Sequence, residues 1–296
     1  MRALIVGGEG QVGRALADVA PADAEIIRYG SAALDITDGR AVEDAVASIR
    51  PDLLFNAAAY TAVDRAEQDA DRAMAVNATA VGDLARAART AGARFVHIST
   101  DFVFDGTATR PYAPDALAHP LGVYGRTKLA GEKLAGDDAL IVRTAWVYAV
   151  TGRNFVHTML RLMAHGQPVR VVADQVGAPT FAPSLARALW TLAMRGAKGV
   201  HHYTDAGVTS WHGFAVAIQE EALAAGLLSG AVPVVPIATA DYPTPARRPA
   251  YSVLDTSATY AALGAPPPHW RDNLRSMIGA LAREGDRKAI GGKSLS

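Results

Sequence analysis

Hydrophobic residues fall along this chain in short unbroken runs, separated by longer stretches that carry an apolar residue at every third or fourth position. Ala3-Leu-Ile-Val6, Leu53-Leu-Phe55, Arg94-Phe-Val-His-Ile98 and Ala139-Leu-Ile-Val142 have the form of strands buried on both faces of a parallel sheet, and Glu25-Ile-Ile-Arg-Tyr29 reads as a further strand. The intervening stretches place Val12, Leu16 and Val19, then Val42, Val46 and Ile49, then Met74, Asn77, Val81 and Leu84 on one face of successive helices. Strand and helix alternating at this period predict a doubly wound α/β sheet for the first half. Beyond residue 148 the pattern loosens. A helix to about Ala164, an extended Val169–Val172, a helix from Ser184 to Met194, a strand Gly199–Tyr203, a helix from Ser210 and a last helix to about Ala282 follow in order.

The first apolar run feeds directly into Gly7-Gly-Glu-Gly-Gln-Val-Gly13, with Gly7, Gly10 and Gly13 three residues apart. Glycines there permit a tight turn and close approach of a pyrophosphate to a helix N-terminus, although a plain strand-to-helix turn uses the same residues. The fold class expected is therefore a Rossmann-type doubly wound parallel sheet over residues 1–147, with 181–207 returning to it. A smaller, sequence-interleaved α/β substrate-binding domain is expected over 148–284, followed by a mobile tail over 285–296.

Composition narrows the function. Of 296 residues 50% are hydrophobic and 20% charged, and Lys+Arg and Asp+Glu are 29 each, so no net field favours nucleic acid or an anionic membrane. The absence of cysteine excludes disulfides, thiolate metal sites and cysteine nucleophiles, and the eight histidines show no ligand spacing. The Met1 start runs straight into a strand, and no apolar run reaches the length of a membrane span, so a cytoplasmic location is expected.

Candidate chemistry clusters at the ends of the predicted strands. Arg28, where an NAD-binding unit usually has an acidic residue, leans towards a 2'-phosphate and NADPH, although a solvated arginine is the plain alternative. Thr37 or Asp38 suits a helix N-cap, and Asp35 is placed to face an adenine. Asn56-Ala-Ala-Ala-Tyr60 leaves room for something flat, and Ser99-Thr-Asp101 offers a hydroxyl to a substrate oxygen. Tyr124 and Lys128, four apart on a predicted helix, put a phenol and an ammonium on one face. A lysine beside the phenol is expected to lower its pKa towards neutrality and ready it for proton exchange. Arg247 and Arg248, in a proline-stiffened loop, are either a diphosphate clamp or two solvated cations.

Taken in order, Gly7-x-x-Gly10-Gln-Val-Gly13, Asn56-Ala-Ala-Ala-Tyr-Thr-Ala-Val-Asp64, Ser99-Thr-Asp-Phe-Val-Phe-Asp-Gly106, Tyr124-Gly-x-x-Lys128 with Gly131-Glu132, Arg143-Thr-x-Trp146, Asp174-Gln-x-Gly-Ala-Pro-Thr180 and Tyr242-Pro-Thr-Pro-Ala-Arg-Arg-Pro249 resemble the extended short-chain dehydrogenases/reductases and, within them, the dTDP-4-dehydrorhamnose reductases. The resemblance implies reduction of the 4-keto group of a dTDP-4-keto-6-deoxy-L-mannose sugar to dTDP-L-rhamnose, an oxidoreductase step in polysaccharide biosynthesis with NADPH, or NADH, as hydride donor. It implies that Gly10, Gln11 and Val12 hold the pyrophosphate and that Asp35, Ile36, Ala58, Ala59 and Tyr60 line the rest of the cofactor site. Thr100 and Tyr124 would bond the keto oxygen, with Tyr124 as proton donor and Lys128 on the nicotinamide ribose. Asp101, Trp146 and Asn154 would contact the sugar, and Arg247 or Arg248 the diphosphate.

Two departures stand out. Some members dimerise through a metal bridged by glutamates, one of them two residues after the loop's last glycine. Here that residue is Ala15, which leaves Mg2+ undecided and points to a monomer or weak homodimer without nucleic-acid or membrane partners. Position 60 is Tyr where the family often has His. Rival readings are a nucleotide-sugar dehydratase, which lacks its Thr-Asp-Glu run because Phe102 follows Asp101, an epimerase, a reductase of another keto sugar, and a non-catalytic subunit resembling the regulatory subunit of methionine adenosyltransferase.

Overall fold

The structure, a computed structural model, describes residues 1–291. Its centre is a six-stranded sheet formed by β1 (Arg2–Val6), β2 (Glu25–Tyr29), β3 (Leu53–Asn56), β4 (Arg94–Thr100), β5 (Leu140–Thr144) and the edge strand Gly199–His202. Their spatial order is Gly199–His202, β5, β4, β3, β1, β2, and every pair is parallel. The unbroken apolar runs are the central strands: Ala3, Leu4, Ile5 and Val6 have no exposed surface. The edge strand β2 is only half-buried, as its charged Glu25 and Arg28 require.

Helices cover both faces. One face packs Leu16, Leu185, Leu189 and Trp190 on Ile5, Phe55 and Val142. The other packs Val42, Val46, Val81 and Leu84 on Leu4, Leu54 and Ile141. The chain leaves β1 towards β2 on one side and returns to β3 on the other, so a crevice opens at the C-terminal ends of β1 and β3, where such sheets bind ligands. A separate core of Tyr148, Val156, Phe214, Ile218, Trp270 and Leu274 holds together those elements after β5 that do not join the sheet or its covering helices.

Two elements differ from the periodicity, and a third settles a choice between two expected caps. The helix phased on Met74, Asn77, Val81 and Leu84 is broken: Ala70–Met74 passes into a π-turn over Ala75–Thr79 before the helix Ala80–Ala91 begins. The wider turn buries Asn77 while leaving Met74 42% exposed, a phase shift that a uniform helical period does not contain. The cap of helix Gly39–Ile49 is Asp38, whose carboxylate accepts from the Arg40 and Ala41 amides. The last helix spans Trp270–Gly291, so the tail expected from Gly285 begins as helix; residues 292–296 lie outside the described residues. Among the described residues, no helix is long and apolar enough to cross a membrane.

Candidate active site

The glycine loop is shaped by backbone that tolerates no side chain. Gly7 has φ +71°, and a Cβ there would stand 2.4 Å from the Ala58 nitrogen; one on Gly13 would stand 2.3 Å from the Gly7 carbonyl oxygen. Gly10 caps helix Gln11–Asp18 without any side-chain bond, so the first amides of that helix point outward with no protein acceptor. Free helix-end amides of this kind suit an anionic group, and the loop continues into a cleft of about 340 Å3 lined by Gly7, Gly10, Asp35, Ile36, Ala58, Ala59 and Tyr60. The residues therefore fit a dinucleotide. Val12 turns instead towards the core under the loop.

Two charges complete the cleft. Asp35 accepts from the Thr37 amide and hydroxyl, which hold its carboxyl below the usual range, and Arg72 stands 3.9 Å away. Sequence reading missed Arg72, which lies in the helix Ala70–Met74, 37 residues from the loop that holds Asp35. Arg28 is exposed beside Gly8 rather than in the cleft lining, with no acidic partner among the described residues. Tyr60 donates its hydroxyl to Asp69, while its backbone N–H donates to the Asn77 side chain. Asn77 in turn donates to Thr127, so the π-turn ties the cofactor cleft to the helix bearing Tyr124.

Tyr124 enters at the second position of helix Val123–Ala135, whose first amide donates to Glu67 Oε1 at 2.7 Å. The start of the helix is pressed against the loop after β4: a Cβ on Gly125 would stand 2.2 Å from the Phe102 carbonyl oxygen. Tyr124 meets Phe102 edge-on and lies beside Thr100 and Asp101. Burial pushes its phenol up to about 12; the Thr100 hydroxyl opposes this, and the charge of Asp101 adds to it.

This corrects the expectation that Lys128 lowers Tyr124. Lys128 is buried, donates to the Ile98 carbonyl at 2.7 Å and stands 3.3 Å from His97 Nε2. Burial brings its own amine down to about 8 against the pull of Glu132. Desolvation is the largest influence on each group, and it disfavours the charged form of both. The phenol consequently stays protonated near neutral pH, the state a proton donor needs.

At the end of β4 the Thr100 hydroxyl donates to Asp101 Oδ1 at 3.0 Å and accepts from the Phe102 amide. Asp101 Oδ2 is buried and makes no hydrogen bond to a described residue; burial raises the carboxyl to about 6, although the nearby Ser252 hydroxyl and the Thr100 hydroxyl on Oδ1 oppose it. An orphaned buried acceptor beside a phenol is where a polyhydroxylated ligand would place a hydroxyl.

A second, larger groove of about 820 Å3 lies between Asp64, Phe155, Val171, Gln175, Trp211 and Arg248. Trp146, strained at φ +47°, is stacked on Trp211 at 3.6 Å, a partner sequence reading did not identify. The expected arginine pair is divided. Arg248 forms a two-pronged bond with Asp64, at 3.0 and 2.8 Å, so its charge is already matched. Arg247 is exposed and has no side-chain partner among the described residues. Asn154 caps helix Phe155–Ala164 and donates to Gln11. No group of three or more His, Cys, Asp or Glu among the described residues is arranged to hold a metal, and Ala15 is buried against the sheet.

A family model described as the RmlD substrate binding domain matches residues 1–283. The curated dTDP-4-dehydrorhamnose reductase of Burkholderia thailandensis is 46% identical over 293 residues, covering 92% of this chain and 96% of that protein. The crystal structure of a dTDP-4-dehydrorhamnose reductase from Clostridium acetobutylicum superposes with a TM-score of 0.88 at 38% identity, covering 95% of this chain and 99% of that one. That of the Bacillus anthracis enzyme in complex with NADP also gives 0.88, at 34% identity, covering 94% and 98%. A family model over almost the whole chain, a curated relative at 46% identity and a crystal structure superposing at 0.88 place the chain in the dTDP-4-dehydrorhamnose reductase family.

Proposed function

We propose that this protein reduces dTDP-4-keto-6-deoxy-L-mannose to dTDP-L-rhamnose with NADPH, Tyr124 giving the proton. The observation that carries the reading is the meeting of Tyr124, Thr100 and the unpartnered Asp101 oxygen at the crevice edge of the sheet. The Bacillus anthracis relative holds NADP, and the unpaired Arg28 beside Gly8 supports the same preference here.

The outward amides of helix Gln11–Asp18 bind the pyrophosphate, and Ile36 and Ala58 line the adenosine cleft. Bound NADPH supplies the hydride. The phenol of Tyr124, kept neutral by burial, donates to the keto oxygen as negative charge develops there, and Thr100 turns its hydroxyl from Asp101 to the same oxygen. Lys128 holds the ribose. Asp101 accepts from a sugar hydroxyl and fixes the ring, with Trp146 and Asn154 beside it. The groove lined by Arg248 takes the nucleotide, and Arg247, exposed and not held by Asp64 as Arg248 is, is the freer of the two arginines to meet the diphosphate.

Steady-state oxidation of NADPH and NADH by the purified protein with this keto sugar tests the reading. Turnover is expected with both, with the higher kcat/KM for NADPH; Arg28→Ala is expected to lower that preference about tenfold, the worth of one charge-assisted bond. Absence of turnover with either cofactor sinks the reading.

A further inference from the structure

Beneath the reacting groups, three buried side chains form a hydrogen-bonded chain whose direction is fixed from one end. The Ala58 N–H can only donate, and it donates to Asn56 Oδ1 at 3.1 Å. Asn56 Nδ2 therefore faces His97 Nδ1, at 3.1 Å, as a donor. That nitrogen must accept, which puts the proton of the neutral ring on Nε2. Nε2 lies 3.3 Å from Lys128 Nζ. An ammonium has donors only, so a charged Lys128 sets donor against donor, whereas a neutral amine has one lone pair that accepts the Nε2–H. Turning the Asn56 amide over or moving the ring proton transfers the conflict to Ala58 or Asn56 without removing it. Asn56 and His97 have no exposed surface and Lys128 only 2%, so solvent does not dissolve the mismatch.

We propose that His97, oriented by Asn56, is a positioning residue that biases Lys128 towards its neutral amine by handing it a hydrogen bond an ammonium cannot accept. Neighbouring strands β3 and β4 set the pair directly opposite each other in register, which makes the orientation a property of the sheet. Burial acts in the same direction on both groups, holding the imidazole well below its usual range. The groups that bear on Lys128 are His97 and the Ile98 carbonyl from β4 and Glu132 from its own helix. Glu132 is the opposing influence, and it is already bound by Arg143 at 2.9 and 2.7 Å and by the Ser99 hydroxyl at 2.5 Å.

The consequence for catalysis rests on the proposed reductase reading; the tautomer does not. Imidazole 15N spectra of the whole protein, with the His97 signal assigned by its loss in His97→Leu or its shift in Lys128→Met, are expected to show protonated Nε2 and unprotonated Nδ1 without cofactor or substrate. The alkaline limbs of NADPH affinity and of kcat are expected to move up by about one pH unit in His97→Leu, the worth of one hydrogen bond to a charged group. In His97→Gln, whose amide can accept from Asn56 and donate to Lys128, they are expected to return to the wild-type position. A protonated Nδ1, or an alkaline limb of NADPH affinity that does not move in His97→Leu, overturns the proposal. Should the protein bind NADPH yet reduce no keto sugar, the tautomer and the binding profile still decide it.

Discussion

The Asn154 side-chain amide donates to Gln11 Oε1 at 2.9 Å, joining the loop proposed to hold the pyrophosphate to the segment proposed to meet the sugar across 143 positions of sequence. Gly152, at φ +84°, brings that segment so close that a Cβ would stand 3.0 Å from Gln11 Cγ. Gln11 Nε2 also donates to the Arg153 carbonyl at 3.4 Å, so one side chain bridges the two proposed sites. Gln11→Ala removes the bridge while sparing the Asn154 cap, and is expected to raise the KM of both cofactor and sugar several-fold, by about 1 kcal/mol each. A change confined to the cofactor would show that the bridge couples nothing.

Tyr124→Phe removes a hydroxyl and leaves the ring against Phe102. A positioned general acid contributes about 10²–10⁴-fold. The variant is expected to lose at least that much kcat with NADPH affinity, read by fluorescence titration, within about threefold of wild type. Retention of kcat would remove the phenol from the proton-donor role.

Gly13→Ala tests the cradle. Its methyl group would stand 2.3 Å from the Gly7 oxygen and 2.7 Å from Gly8 Cα, so the loop must move. A loss of NADPH affinity above tenfold, with destabilisation of about 1–3 kcal/mol in urea unfolding, is the expected result. Unchanged affinity would mean that the cofactor does not lie on this helix end.

Asp205, 1% exposed, accepts from the Phe181 amide and from Asn273, while its Oδ1 has no partner. Burial raises its carboxyl to about 7, against the Asn273 and Phe181 bonds. A carboxyl raised above its unfolded value of about 3.9 favours the folded state when protonated. Its contribution is full below about pH 4 and is lost as the pH rises through about 7. Wild-type Tm is therefore expected to fall over that window relative to Asp205→Asn, which keeps an acceptor for Phe181 and carries no charge. Parallel Tm profiles for the two proteins would contradict this.

What the sequence made legible is what local pattern encodes. Ala3–Val6 followed by glycines could be little else than a buried strand turning into a helix, and Tyr124 and Lys128 share a face because helices repeat every 3.6 residues. Partnerships made across the fold were not legible. The pattern gave no sign that Arg248 would be matched by Asp64, that Trp146 would stack on Trp211, or that Arg72 would face Asp35. Nor did it warn that burial would raise Tyr124 despite a lysine one turn away, because desolvation depends on everything packed around the phenol. The π-turn at Ala75–Thr79 escaped for a related reason: Asn77 keeps helical phase on paper, and only its bonds to Tyr60 and Thr127 explain the extra width.

The most direct test of the central claim is where the hydride goes. Incubating the protein with dTDP-4-keto-6-deoxy-L-mannose and NADPH carrying deuterium at the nicotinamide C4, then reading the sugar by NMR, gives one answer. Deuterium on C4 of a sugar with the L-rhamnose configuration is the expected result. A sugar recovered without deuterium, or with the opposite configuration at C4, would contradict it.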